Sequence, residues 1–104
     1  MATVLSERAV EDLEGISELH LPRRLRTWNK LQVEFYKKFK LIGQHPRIGA
    51  DSGRFLSGMR RVIVRDYIVY YRHVRGVTTV MRVLHGARDI DATFFDEPNP
   101  RGTP

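Results

Sequence analysis

The side chains best suited to chemistry in this sequence sit in one short run, His85-Gly86-Ala87-Arg88-Asp89. An imidazole can act as general acid or base near neutral pH, and a guanidinium can stabilise a phosphorane-like transition state. A structural reading competes with this one: His85 would cap a strand end and the Arg88–Asp89 segment would fix a turn. On residue type alone the structural reading is the stronger, because one histidine and one arginine make a weak constellation. The chain has no His/Asp/Glu grouping at metal-ligand spacing, no glycine-rich phosphate loop and no serine or cysteine nucleophile motif. No metal site and no cofactor are expected.

The stretch that must position this run extends from Met59 to Phe95. Its density of Val, Ile, Tyr and Thr predicts three successive strands in a meander, closed by a short helical segment opening at Gly86. Asp66 breaks the first pair. Arg75-Gly76 makes the second turn, where Gly76 tolerates the positive φ of a tight hairpin. Period-2 alternation puts Val62, Val64, Tyr67, Val69, Tyr71, Met81 and Val83 on one apolar face, expected to lie against helices. The other face carries Arg61, Ile63, Arg65, Ile68, Tyr70, Arg72, Val80, Arg82 and Leu84. Aliphatic groups rimmed by guanidinium groups suit an amphipathic, acidic partner segment.

The 104 residues are enough for one domain with one modest core. Lys+Arg 18 against Asp+Glu 12 gives a net charge of +6, which favours anionic partners without choosing among nucleic acid, a ribosome or an acidic protein. The absence of cysteine excludes disulfides and thiolate metal sites. No long apolar run or signal-like start is visible, so a soluble, cytoplasmic protein without membrane contact is expected.

From the beginning, Ala2-Thr3-Val4-Leu5 is a short β-prone piece, and Ser6 is the expected N-cap of a first helix. Val10, Leu13 and Ile16 form its inner stripe, with Glu7, Glu11, Asp12, Glu14 and Glu18 mostly outward. Leu21-Pro22 interrupts it, and a second helix is predicted from about Pro22 to Ile42, with Leu25, Trp28, Leu31, Phe35, Phe39 and Ile42 as its apolar stripe. The basic remainder of that helix reads first as a solvated face. Residues 43–58 read as loop, with Phe55 and Leu56 dipping into the core edge. The expectation is a single α+β domain over 1–95: an N-terminal strand, an αα-hairpin, a three-stranded antiparallel meander and a short C-terminal helix. A flexible tail is expected at 96–104, which carries three prolines.

Three stretches together resemble one family. Val83-Leu84-His85-Gly86-Ala87-Arg88-Asp89-Ile90, preceded by Arg82, looks like the closing signature of ParE-type toxins of the RelE/ParE superfamily. The strand Tyr67-Ile68-Val69-Tyr70-Tyr71-Arg72 and the loop His45-Pro46-Arg47-Ile48-Gly49 fit the same family, as does the order of elements up to Phe95. The resemblance implies the toxin of a type II toxin–antitoxin system of the plasmid-stabilisation kind. Such a protein poisons DNA gyrase by stabilising its cleavage complex and is neutralised by a ParD-like antitoxin in a hetero-oligomer. Operator DNA would be reached only indirectly, through the antitoxin.

The alternative within the superfamily is a RelE-like, ribosome-dependent mRNA endonuclease. Its candidate catalytic residues here would be Arg88, His85 and Arg61. The nucleases carry an arginine just after the tyrosine that opens the middle strand, where this chain has Ile68. They carry a tyrosine six residues beyond the arginine matched by Arg88, where this chain has Phe94. Each loss removes a contribution worth orders of magnitude in rate, so the gyrase-poison reading is preferred. His85 and Arg88 are then target-contacting candidates. Arg61, Ile63, Arg65, Ile68, Arg72, Arg82 and Leu84 are the expected antitoxin-binding set. A further alternative is a non-toxic antitoxin partner or co-repressor.

Overall fold

Ser6 joins the two halves of the molecule. In a computed structural model that describes residues 3–95, its N–H donates to the Val80 carbonyl at 2.9 Å. Its hydroxyl donates to the Met81 carbonyl at 2.8 Å and accepts from the Ala9 N–H at 3.0 Å. One residue thus ends strand β1 (Thr3–Leu5), caps helix α1 (Glu7–His20) and ties both to the last strand. The tail expected at 96–104 lies outside the described residues.

The cap also sets the phase of α1. Ala9 and Ile16 are buried, Leu13 is half-buried, and Val10 keeps 40% exposure rather than facing inward. Asp12, expected outward, lies three residues after Ala9 and four before Ile16, and is half-buried on the same stripe. Helix α2 (Leu25–Gln44) begins a turn later than expected, because Leu21–Arg24 folds as a turn in which the Arg24 N–H donates to the His20 carbonyl at 2.7 Å. Leu25 is therefore left largely exposed at the helix start, while Trp28, Leu31, Phe35 and Ile42 are buried.

The sheet has five strands in the order β1-β5-β4-β3-β2. Strands β3 (Met59–Val64), β4 (Tyr67–Val74) and β5 (Val77–His85) form the expected antiparallel meander. Arg75 and Gly76 both have positive φ (52° and 78°), as a tight hairpin turn requires. β1 joins β5 in parallel, and β2 (Ala50–Asp51), expected as loop, pairs with β3 at the other edge.

Two findings correct the face assignment. A bulge interrupts the β4–β5 ladder between Tyr70 and Tyr71: Tyr70 opposes Arg82, whereas Tyr71 opposes Val80, and Met81 is left over. Val80 and Met81 consequently exchange the faces that strict alternation gave them. Val80 joins the helix-side cluster with Val62, Val64, Tyr67, Val69, Tyr71 and Val83. Met81 joins a second cluster on the opposite face, with Met59, Tyr70, Leu84 and Phe95.

That second cluster is the other correction, since the face expected to await a partner is partly filled by the chain itself. Phe55 and Leu56 from the 52–58 loop, with Ile90, Phe94 and Phe95 from the C-terminal stretch, pack onto it. The Phe95 ring meets Tyr70 edge-on at 4.9 Å and Phe55 at 5.6 Å. The helical segment expected to open at Gly86 is instead a short 3-10 helix at Ala92–Phe95, after an irregular connection.

Candidate functional site

The run His85–Asp89 leaves the sheet where β5 meets the turn between β3 and β4. Gly86 N–H donates to the Asp66 carbonyl at 2.7 Å, fastening the two together. A Cβ at Gly86 would lie 3.3 Å from that same oxygen, so a larger residue there would have to push the two segments slightly apart. The Ala87 N–H donates to His85 Nδ1 at 3.1 Å and the Arg88 N–H to the His85 carbonyl at 3.1 Å. His85 thus braces the turn that follows it, with its ring edge-on to Tyr67 at 5.5 Å.

His85 and Arg88 pack against different rings. Tyr67, against which His85 packs, belongs to the helix-side cluster. Arg88 lies 4.9 Å over the Phe94 ring, which packs on the other cluster. Arg61 is bound at the β2 edge, donating to the Asp51 carbonyl at 2.7 Å and to Ser52 Oγ at 2.9 Å. Each of the three candidate catalytic groups has its own partners.

Arg82 is the most constrained cation. Its Nε and Nη2 grip the two Asp12 oxygens at 2.7 and 2.8 Å, and Nη1 donates to the Phe94 carbonyl at 2.9 Å. The hydrogen bonds to Asp12 push its already high pKa further up. Asp12 also accepts from the Val83 N–H at 3.0 Å, on the edge of β5 beyond its last pairing with β1. Arg82 therefore clamps α1 and the C-terminal stretch onto β5, with only 14% of its side chain exposed. Leu84 retains 2% exposure beneath the C-terminal stretch. These two members of the expected antitoxin-binding set are internal parts of the chain.

The others are more accessible. Ile63 is 62% exposed, Arg65 is exposed and paired with Glu34 of α2, and Ile68 and Arg72 are half-buried. Ile63 lies opposite Ile68, which lies opposite Leu84, so an apolar row crosses the end of the sheet. Around the edge of β3, a depression of roughly 220 Å³ is lined by Glu34, Lys37, Lys38, Leu41, Ile63, Val64 and Arg65.

Sequence reasoning missed two organising groups. One is Asp12, whose place on the buried stripe of α1 was a readable signal. The other is the Tyr71 hydroxyl, which accepts from the Gly49 N–H at 2.9 Å and donates to the Pro46 carbonyl at 2.7 Å. Among the described residues, no cluster of three or more His, Cys, Asp or Glu could hold a metal ion, and no helix is long and apolar enough to cross a membrane.

A family model described as "ParE toxin of type II toxin-antitoxin system, parDE" matches residues 4–90. No curated protein matches the chain. Among solved structures, one titled "Chromosomal ParDE TA system from P. aeruginosa" superposes with a TM-score of 0.68 at 16% identity, covering 82% of this chain and 95% of that one. At that identity the likeness is one of fold.

Proposed function

The chain belongs to the ParE toxin family of type II toxin–antitoxin systems, and from that membership we propose that it inhibits DNA gyrase by stabilising the gyrase–DNA cleavage complex. A poison of this kind binds and holds an intermediate; it needs no acid–base group of its own. The family match over residues 4–90 carries the proposal. The separate partners of His85, Arg88 and Arg61 support it, together with apolar Ile68 and Phe94 where the resembling nucleases have an arginine and a tyrosine. Induced expression in bacteria tests it against the nuclease alternative. The expected outcome is arrested replication with a DNA-damage response while transcripts stay whole; early cuts within translated mRNA would overturn it. Such a toxin works in the cytoplasm.

Neutralisation by a ParD-like antitoxin is the second part of the proposal. The internal roles of Arg82 and Leu84 move the contact surface toward the sheet end and β3 edge, where Ile63 and Arg65 adjoin Lys38 and Leu41 and Ile68 lies opposite Ile63; Arg72 stands at the other end of the meander, opposite Met59. An amphipathic acidic segment that orders on binding would cover Ile63 and meet the cations. Ile63→Asp combined with Arg65→Glu should weaken the complex about a hundredfold in a titration, as expected for loss of an apolar anchor and its charge partner. Unchanged affinity would reject this surface.

A further inference from the structure

The outward face of α2 plays no part in the fold, and of its cations only Lys37 also borders the depression beside β3. At about 100° per residue, Arg26, Lys30, Lys37 and Lys40 fall within one sector of roughly 80°, opposite the buried Trp28, Leu31, Phe35 and Ile42. All four are exposed, and the row runs along about 21 Å of helix, at 1.5 Å per residue. Among the described residues none of the four is in an ion pair. Glu34, the one carboxylate of the helix, lies off the row and is bound to Arg65. Like charges three and four residues apart oppose helix formation, so folding does not account for the row.

From this row we propose that the outward face of α2 binds the phosphate backbone of duplex DNA, independently of base sequence. Three observations favour phosphate over a protein partner. Lysine is depleted in protein–protein interfaces, yet it supplies three of the four cations. The apolar content is small: Val33 (52% exposed) lies in the sector, and Tyr36 (67% exposed) lies about 40° outside it, on the side away from Glu34. The start of the helix adds to the same positive field, for its first turn has no acid, Arg24 makes no capping hydrogen bond, and Arg23 and Arg24 are exposed. This contact differs from operator reading and goes beyond the gyrase proposal, since it requires only DNA.

Fluorescence anisotropy with the full chain and a labelled duplex of arbitrary sequence tests it without gyrase. Four phosphate contacts give a log–log salt slope of about −3 to −4, so raising salt from about 50 to about 200 mM should weaken binding about a hundredfold. Lys30→Gln with Lys37→Gln, which keeps helix propensity, should halve the slope and weaken low-salt binding roughly tenfold. Arg26→Gln with Lys40→Gln should do the same, and provides the reading if the first pair fails to fold. No binding at low salt, or an unchanged slope in a folded variant, would overturn the proposal. Polyglutamate competing as well as duplex DNA would overturn the assignment to nucleic acid.

Discussion

Tyr71 is fully buried, and its hydroxyl holds the loop that leads out of α2 by bonding the Gly49 N–H and the Pro46 carbonyl. A Cβ on Gly49 would stand 2.6 Å from that hydroxyl and 2.8 Å from the Arg61 carbonyl, so side chain and glycine fit only as a pair. Tyr71→Phe leaves the Gly49 N–H without its acceptor and should cost about 1–3 kcal/mol in chemical denaturation. Burial raises the Tyr71 phenol above its usual value near 10, and does the same for Tyr67 and Tyr70. The fold prefers the neutral phenols. Their contribution is fully present below pH about 10 and is lost as pH rises through the higher folded values, because the unfolded chain releases its protons first. Tyr71→Phe should flatten part of this alkaline loss; an unaltered pH profile would contradict it. The strand position of Tyr71 was legible from its neighbours. The loop it fastens lies 22 residues away, and no local pattern announces that bond.

At the scale of elements, the order was legible and the faces of β5 were not. The run Val80-Met81-Arg82-Val83-Leu84 is apolar at all positions but one, so alternation offers no contrast from which to locate the bulge. The αα-hairpin and the meander each have a clear period and appear where expected, apart from the later start of α2. Arg82 looked like a surface cation because period 2 put it on the face assigned to a partner; instead it joins three elements through Asp12 and Phe94. Both charged groups are shielded, at 14% and 12% exposure, so removing either should cost about 3–5 kcal/mol by leaving the other unpaired. Asp12→Ala with Arg82→Ala should cost less than the sum of the single changes, with a coupling of about 1–3 kcal/mol in urea denaturation. Additive losses would mean that the two groups act separately.

The molecule as a whole is a sheet covered on both faces by its own chain: two helices on one side, a loop and the C-terminal stretch on the other. That second cover was the part least visible in the sequence, since Phe94 and Phe95 stand alone beside polar residues with no periodic segment around them. Its consequence is functional. It buries Leu84, fixes Phe94 under Arg88, and leaves the sheet end, the β3 edge and the outward face of α2 as accessible surface. A basic chain of net charge +6 with these surfaces is suited to holding anionic partners. The most direct test uses purified gyrase, relaxed plasmid and ATP, with complexes trapped by detergent and digested before the DNA is resolved. A gyrase poison will accumulate linear, protein-linked DNA in proportion to its concentration, and its cognate antitoxin will abolish the effect. Supercoiling at the normal rate, with no cleaved DNA at any concentration, would contradict it.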